Sequence, residues 1–251
     1  MVNTMVIVAT AGWSIPRSVA TQFPGDGTHL QRYARILPGV EINSSFYRDH
    51  SPQTYAGWAA QTPRTFRFAV KVPRAITHDA RLRGVRAPLE KFLLGVRGLG
   101  ARLGPLLVQL PGSEAYEPRV ASRFFALLRE RYDGPVVCEP RHASWFEPSA
   151  QRLLARRHIG RVAADPATVP AAAQPGGWHG IVYYRLHGSP QKYWSVYEPA
   201  RLLSWSRALA SLEQRTLAWC VFDNTAGGGG AANALQMASA LAEHDAPGLG
   251  D

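Results

Sequence analysis

The chain is poor in cysteine, with two residues, Cys138 and Cys220, among 251. Each lies inside an apolar run and neither belongs to a Cys-x-x-Cys pair. This spacing argues against a disulfide framework and a structural zinc site, and it fits a reducing compartment. Long hydrophobic stretches and a basic leader are also missing. We therefore expect a cytoplasmic protein without a membrane partner.

Lysine is almost as scarce as cysteine. Lys71, Lys91 and Lys192 are the only lysines, so 25 of the 28 basic residues are arginine, and the formal net charge is +10. A basic balance can favour nucleic acid or smaller anions. The arginines are scattered, however, and no run of five or more like charges occurs, as a nucleic-acid-binding tail would show. Compositional bias is the favoured explanation, and nucleic acid stays a less favoured partner.

Short apolar runs alternate with amphipathic segments along the whole chain. Eight runs are predicted as strands: 6–12, 39–43, 66–71, 105–110, 135–139, 160–165, 180–186 and 217–223. Helices are predicted at 28–37, 51–60, 88–102, 118–132, 148–157, 199–212 and 231–243, and residues 166–180 are predicted as a loop with little helix. This alternation is typical of parallel β/α units.

The strand count and the length favour one closed domain. Eight β/α units in about 250 residues fit a (β/α)₈ TIM barrel. No Gly-x-Gly-x-x-Gly follows the first strand, which argues against a dinucleotide-binding sheet. We expect a single barrel over residues 1–251, with an irregular stretch between the sixth and seventh strands.

Polar residues end most of the predicted strands. Because side chains alternate between the two faces of a strand, residues two apart share a face. The carboxyl ends of barrel strands carry the catalytic groups of such enzymes. We therefore predict one ring at this rim, made of Glu41, Asn43, Lys71, Gln109, Glu139, Arg141, Asp165, Arg185, His187 and Asp223.

The charges of this ring favour acid–base chemistry over a metal centre. Four carboxylates face three cations, whereas a metal site needs carboxylates and histidines without competing cations. Arginines would hold a phosphate or carboxylate, and His187 with a carboxylate would move protons. The residues predicted as catalytic are Glu41, Lys71, Glu139, Asp165, His187 and Asp223. If a divalent metal binds, its predicted ligands are Glu139, Asp165 and His187; the sequence requires no cofactor.

Loops at the same rim add further candidates. Gly227–Gly230 follows the last strand, where barrels often bind phosphate through backbone N–H groups, although the segment lacks the lysine of a P-loop. Aromatic side chains there could line a pocket or fix the loops. The substrate-binding residues predicted in addition to the ring are Tyr47, His78, Trp145, Tyr193, Tyr197 and Asn224.

Several blocks of the sequence resemble a known family. They are Glu41-Ile-Asn-Ser-Ser-Phe-Tyr47, Phe68-Ala-Val-Lys-Val-Pro73 with Thr77-His78, Glu139-Pro-Arg-His-Ala-Ser-Trp145, Tyr184-Arg-Leu-His-Gly188 with Tyr193 and Tyr197, and Phe222-Asp-Asn-Thr225. In this order they are similar to the YecE-like family, domain-of-unknown-function family seventy-two. The resemblance covers nearly the whole chain and implies a TIM barrel and these motif positions. It implies no reaction, and the stretch after Asp165 departs from it.

Three functions compete at this stage. The first is an enzyme that does acid–base chemistry on a small polar, phosphorylated or sugar-like substrate. The second is a metal-dependent phosphodiesterase or nuclease, or a barrel that binds nucleic acid. The third is a binding module that has kept a pocket without catalysis, since a fold alone does not imply activity.

Overall fold

The computed structural model of the protein describes residues 6–213 and 215–245. Its strands follow the predicted runs closely. They are β1 (Val6–Thr10), β2 (Gly39–Ile42), β3 (Arg67–Lys71), β4 (Leu103–Gln109), β5 (Val136–Glu139), β6 (Ile159–Arg161), β7 (Ala163–Asp165), β8 (Gly176–Gly177), β9 (Ile181–Leu186) and β10 (Leu217–Phe222). The parallel α/β architecture expected from the sequence is thus confirmed.

The strands form two sheets. One has the order β1-β10-β9-β7 and the other β2-β3-β4-β5-β6-β8. All pairs are parallel except β6 with β8, where the two glycines of β8 pair antiparallel to Gly160 and Arg161. A closed barrel is not confirmed, because within the described residues the strand ladders do not form one continuous sheet.

The two sheets meet at two places. Between β1 and β2 there is one isolated bridge, Ala11 with Glu41, and Gly12 N donates to Glu41 O at 2.8 Å. The sixth predicted strand is divided at Val162: β6 pairs with β5, and β7 pairs with β9. One chain segment therefore belongs to both sheets, and this division interrupts the predicted barrel.

Seven α-helices occur in the described residues, and each follows a strand along the chain. They are α1 (His29–Ala34), α2 (Pro52–Ala60), α3 (Arg86–Val96), α4 (Pro118–Arg129), α5 (Pro148–Arg156), α6 (Pro199–Ala210) and α7 (Gly229–Asp245). Ser51 caps α2 by accepting from Thr54 N at 3.2 Å, and Pro52 starts the helix, where its missing N–H costs nothing. The helix predicted at 88–102 ends earlier, at Val96, and a 3₁₀ segment follows in which Gly100 adopts φ 54°.

Side chains on the inner face of the strands form their own apolar cluster. It contains Ile7, Ala9, Ala69, Leu107, Val137, Val162, Ile181, Tyr183, Trp219 and Val221. Trp219 fills much of this space: a Cβ on Gly104 would lie 2.9 Å from its ring, so a side chain there would displace it. The cluster therefore closes the interior beneath the carboxyl ends of the strands, which carry the polar residues.

A larger apolar cluster packs the outer face of the strands against the helices. Cys138 and Cys220 belong to it as buried free thiols, as the alternation of their strands predicts. Burial raises the pKa of both thiols far above the ordinary range. None of the helices in the described ranges is long and apolar enough to cross a membrane.

Candidate functional site

A fully buried arginine organises the inner face at the strand ends. Arg185, two residues beyond Tyr183 on β9, has none of its side chain exposed. Its Nε and Nη2 donate to the two carboxylate oxygens of Glu41 at 3.0 and 2.7 Å. Nη1 donates to Glu139 at 2.7 Å, and Nη2 also to Asp223 at 3.1 Å. One guanidinium thus binds carboxylates from β2, from β5 and from the end of β10.

His187 connects two of these carboxylates. Its Nδ1 lies 2.9 Å from Asp223 Oδ2, and its Nε2 lies 3.1 Å from Glu139 Oε1. Both contacts are hydrogen bonds only when both ring nitrogens carry protons, because carboxylates only accept. We call Glu41, Glu139, Arg185, His187 and Asp223 the inner-face network.

The network keeps two of its carboxylates, Glu139 and Asp223, ionised. Burial raises the pKa of Glu139, but Arg185, His187 and Arg141 lower it more, so that it lies well below its ordinary value. The pKa of Asp223 is also lowered, since Arg185 and His187 outweigh the effect of burial. Burial lowers the pKa of Arg185, yet its carboxylate partners raise it well above the usual value. Such pairing is what makes the burial of these charges tolerable.

Lys71 lies at the same level but has no ion pair with a carboxylate in the described part of the chain. It ends β3, is 9% exposed, and its Nζ lies 4.1 Å from the centre of the Phe46 ring. Burial and the charge of Arg185 lower the pKa of Lys71 to about 8, although the network carboxylates oppose the shift. This amine can exchange protons near neutral pH.

Arg141 lies above the network, closer to solvent. Its Nε and Nη2 contact Glu139 Oε1 at 3.2 and 3.1 Å, while Nη1 takes no part in this ion pair. The side chain keeps 23% of its surface exposed. Burial lowers the pKa of Arg141, but Glu139 and Tyr193 outweigh burial and raise the pKa above its ordinary value. The guanidinium therefore stays charged.

Aromatic and imidazole rings surround this opening. His78 packs edge-on against Phe46 with 4.9 Å between ring centres; Tyr47 also packs edge-on against Phe46 and is 79% exposed. Tyr193 packs edge-on against His187 at 5.8 Å and has a left-handed backbone, φ 70°. A non-glycine residue in this conformation is strained, and such residues cluster at functional sites.

Two predicted amide side chains also belong to the inner face. Gln109 is buried at the end of β4, and its Nε2 donates to Leu110 O at 2.9 Å. Asn43 approaches Asp223 through Nδ2 at 3.5 Å, and its Oδ1 is buried without a hydrogen-bond partner in the described structure. A buried acceptor of this kind calls for a donor from a ligand or from water.

Asp165 is not part of this ring, contrary to the prediction. Val162 belongs to the inner cluster and Ala163 to the outer one, so Asp165 points outward, two residues beyond Ala163. Its Oδ1 accepts from the Tyr197 hydroxyl at 2.9 Å and its Oδ2 from Arg201 Nη2 at 2.7 Å. We call Asp165, Tyr197 and Arg201 the outer corner; it borders a cavity of about 490 Å³.

Three residues predicted to bind substrate are buried in the scaffold instead. Trp145 donates its indole N–H to Glu114 O at 2.9 Å and packs against Tyr116. Tyr197 accepts from Gly188 N at 2.7 Å. Asn224 donates to Ser195 O and to Asn233 Oδ1 at 2.9 and 3.0 Å. These contacts fix the rim loops and leave none of the three side chains at the opening.

The glycine loop differs from a preformed phosphate site. Gly228 N donates to Thr225 O at 3.1 Å and Gly230 N to Asn224 O at 2.9 Å. Gly228 has φ 80°, a conformation that favours glycine, and α7 starts at Gly229. Two of the four predicted phosphate donors are therefore already used in turning the chain into the helix.

The predicted metal trio is not assembled. Over the ranges that the structure describes, no three His, Cys, Asp or Glu side chains are placed to hold a metal ion. Glu139 and His187 contact each other, but the carboxylate of Asp165 is bound in the outer corner. The cations of the network occupy the carboxylate oxygens that a metal would need.

Two residues of these clusters were not predicted from the sequence. Tyr183 donates to Glu41 Oε2 at 2.8 Å, and its position two residues before Arg185 was a usable sign of its face. Arg201 lies in α6, and nothing in its local sequence separates it from the other surface arginines. Its partner becomes apparent only when the fold brings Arg201 to Asp165 at the end of β7.

Comparisons with known proteins identify relatives in two bacteria. The chain is 31% identical to the UPF0759 protein YecE of Escherichia coli K12 over 67% of its own length; the match spans 62% of YecE, less than two thirds of that protein. It is 23% identical to the UPF0759 protein YunF of Bacillus subtilis 168, covering 94% of this chain and 95% of YunF.

Solved structures share the fold. Crystal structures of DUF72 family proteins from Enterococcus faecalis V583 and Thermotoga maritima MSB8 superpose with TM-scores of 0.79 and 0.76. Their identities to this chain are 22% and 25%, and both cover 95% of it, with 96% and 99% of their own lengths. Residues 7–249 match the family described as "Protein of unknown function DUF72". The sequence blocks and the shared architecture therefore lead to one conclusion: the chain belongs to the DUF72 family.

Proposed function

We propose that the inner-face network and the cations above it form the active site of an enzyme. The proposed activity is acid–base chemistry on a small, polar, anionic substrate, such as a phosphorylated or sugar-like metabolite. One observation carries this proposal: Arg185 binds the three network carboxylates from below and leaves Lys71 without a carboxylate partner among the described residues. A buried amine that forms no direct ion pair with a carboxylate favours a chemical role over a packing role.

The charge distribution supports an anionic ligand. The carboxylates Glu41, Glu139 and Asp223 point towards Arg185, and His187 binds two of them from the side. Lys71 and Arg141 then supply positive charge at the opening. Guanidinium groups hold carboxylates and phosphates with directed hydrogen bonds, and Nη1 of Arg141 is outside its ion pair with Glu139.

The groups around the opening also suit a polar molecule. Beside Asp223, the side-chain amide oxygen of Asn43 is buried without a hydrogen-bond partner among the described residues, as a polar site that rearranges around its ligand would leave it. Tyr47 and Tyr193 expose aromatic faces, on which the apolar face of a sugar-like ring would pack.

Lys71 is the proposed acid–base group. A general acid or base works best when its pKa is close to the operating pH, and that of Lys71 is about 8. The network carboxylates have the opposite property, since the pKa values of Glu139 and Asp223 are lowered and they stay charged. Their role in the proposal is to hold Arg185 and His187 in place and to balance the charge around the amine.

We further propose that the two sheets represent an interrupted (β/α)₈ barrel. The bridge between Ala11 and Glu41 and the shared segment around Val162 support this, because they join the sheets at both edges. In a barrel of this kind the active site lies at the carboxyl ends of the strands, where the network is found.

The test combines a ligand screen with a search for proton exchange. Phosphorylated sugars and sugar acids are screened for an increase in melting temperature, and hits are incubated with the protein in D₂O and followed by NMR. We expect at least one hit to exchange or convert. Lys71→Met should slow this at least about 100-fold, the usual contribution of a general acid or base, whereas Lys91→Met, at an exposed ion pair with Asp49, should have no effect.

The screen can also contradict the proposal. Full turnover by Lys71→Met would remove Lys71 from the mechanism. If neutral sugars raised the melting temperature and anions did not, and if Arg141→Met responded to the ligands like the wild type, the proposal of an anionic substrate would be wrong.

A further inference from the structure

We infer that Lys71 forms a covalent imine with a substrate that contains both a carbonyl and an anionic group. The inference rests on the proposed function and narrows its substrate class. It starts from position: Lys71 is the one lysine of the chain at the inner-face end of a strand, level with the buried network.

The surroundings of the amine separate Lys71 from the two other lysines. Lys91 is exposed and pairs with Asp49 at 2.6 Å. Nζ of Lys192 lies over the Tyr193 ring, 5.1 Å from the ring centre. Lys71 is enclosed, with Nζ against the Phe46 ring and with every network carboxylate bound to Arg185. A buried amine beside another cation, here Arg185, has the setting of a nucleophilic lysine.

The ionisation of Lys71 is consistent with this geometry. With a pKa of about 8, close to a tenth of the side chains are neutral at pH 7. Only the neutral amine has the lone pair that attacks a carbonyl carbon.

The chemical step needs no redox partner. The neutral Nζ attacks the carbonyl carbon and forms the C–N bond, while one proton leaves Nζ and the former carbonyl oxygen takes up a proton, which gives a neutral carbinolamine. The resulting carbinolamine loses water as its hydroxyl group receives a second proton, and a protonated imine remains. Addition of water reverses these steps and returns free Lys71, so atoms and charges balance over the cycle.

His78 is placed to handle these protons. Lys71 and His78 both contact Phe46. Lys71 Nζ lies 4.1 Å from the centre of the Phe46 ring, and the centre of the His78 ring lies 4.9 Å from it. Thr77 Oγ1 holds His78 Nδ1 at 2.9 Å, which leaves Nε2 for exchange. Burial and the charges of Lys71 and Arg74 lower the pKa of His78, so the neutral ring predominates at pH 7 and can relay a proton.

Reductive trapping tests the inference without a known substrate. The probe is glyoxylate, an aldehyde that carries a carboxylate, with cyanoborohydride, which delivers hydride to the imine carbon and leaves a carboxymethyl group on the lysine. The chain has only three lysines, so peptide mass spectrometry can follow each one. At pH 7 we expect Lys71 to be labelled at least about tenfold faster than Lys91 and Lys192, since a larger fraction of a lysine with a lowered pKa is neutral.

Two further measurements make the result specific. The labelling rate at Lys71 should rise with pH and level off above about pH 8, the pKa of Lys71. His78→Gln should slow labelling of Lys71 severalfold and leave Lys91 unchanged. Lys71→Arg keeps the positive charge and should remove this label without creating another fast site.

Glycolaldehyde, an uncharged aldehyde of similar size, allows imine formation at Lys71 to be tested separately from the preference for an anionic substrate. Faster labelling of Lys71 by glyoxylate than by glycolaldehyde supports both. Fast labelling of Lys71 at equal rates by the two probes supports the imine and contradicts the anionic substrate. Labelling of Lys71 no faster than that of Lys91 with either probe overturns the imine, whatever the ligand screen finds.

Discussion

Glu139 and Asp165 are both carboxylates at the end of a strand, and β5 and the segment 159–165 are neighbours in the chain. Glu139 belongs to the inner-face network, where it contacts Arg185, His187 and Arg141. Asp165 lies in the outer corner, where Tyr197 and Arg201 bind it beneath the rim loops. The two carboxylates differ because Glu139 lies on the inner face of its strand and Asp165 on the outer face of its own. Glu139 is therefore held among other buried charges, whereas Asp165 binds a helix and a loop.

The two clusters also differ in how exposed their cations are. Arg185 is fully buried, whereas 55% of the Arg201 side chain is exposed. A buried ion pair that loses one partner leaves an uncompensated charge, while an exposed pair loses little because water replaces the partner. The comparison therefore predicts unequal costs for equivalent substitutions.

The largest effect is expected at the centre of the network. Arg185→Met leaves Glu41, Glu139 and Asp223 close together without their shared guanidinium, and we expect the free energy of unfolding to fall by about 3–5 kcal/mol. Urea denaturation measures this value. A loss below about 1 kcal/mol, the range of exposed ion pairs, would show that the network does not depend on Arg185.

A smaller effect is expected at the outer corner. Tyr197→Phe removes a hydroxyl that donates to Asp165 and accepts from Gly188 N, and it leaves that buried N–H without a partner. We expect a loss of about 2 kcal/mol, the usual cost of an unsatisfied buried group. Tyr47→Phe, at the exposed rim, is the matched control and should unfold like the wild type. If both variants had the same free energy of unfolding, the Tyr197 hydroxyl would not contribute to the stability of the outer corner.

Lys71 gives the stability of the protein a pH dependence through its lowered pKa. Its folded-state pKa of about 8 lies below the ordinary 10.5, so above pH 8 the unfolded chain binds more protons at this residue than the folded chain does. The free energy of unfolding should therefore rise between pH 8 and pH 9.5, by about 1.5 kcal/mol from this residue.

Urea denaturation across this range, compared with Lys71→Met, isolates the contribution of Lys71. The variant should lack this part of the rise. Parallel curves for the two proteins would mean that the lysine titrates alike in the folded and unfolded states, and the proposed acid–base role would then lose its physical basis.

The smallest effect is expected for Arg201→Met. The arginine is half exposed, and Tyr197 continues to donate to Asp165 when Arg201 is absent. We expect a loss of less than about 1 kcal/mol. A cost equal to that of Arg185→Met would show that the two clusters do not differ in the way that their exposure implies, and it would break the comparison.

Much of the fold was predictable because the apolar runs are long enough to define strands and the helices carry plain start signals. Ser51 with Pro52 is one such signal, and the observed α2 begins where it predicts. The closed barrel was not predictable in the same way. Whether neighbouring strands form a continuous ladder depends on registers between residues such as Ala11 and Glu41, which are distant in sequence.

The site divides along the same line. Some strands have a bulky inner-face residue two positions before the polar end, such as Tyr183 before Arg185 or Leu107 before Gln109. In these strands the sequence shows which face is inward, and the polar end lies on the face that alternation predicts. The run before Asp165 consists of Val162 and two alanines, which are too small to show which face is inward. Trp145 follows a ring residue closely, but its loop returns into the core, where Glu114 binds its indole N–H.

The sequence by itself determined the alternation of strands and helices, the alternation of faces along each strand and the presence of charged residues at the strand ends, because periodicity and side-chain chemistry act over a few residues. Only the tertiary structure decided which charges meet. It brought residues 41, 139 and 223 onto one guanidinium, left Lys71 without a carboxylate among the described residues, and turned Asp165 outward. Such pairings depend on distances between remote segments, and these are fixed only when the strands pack.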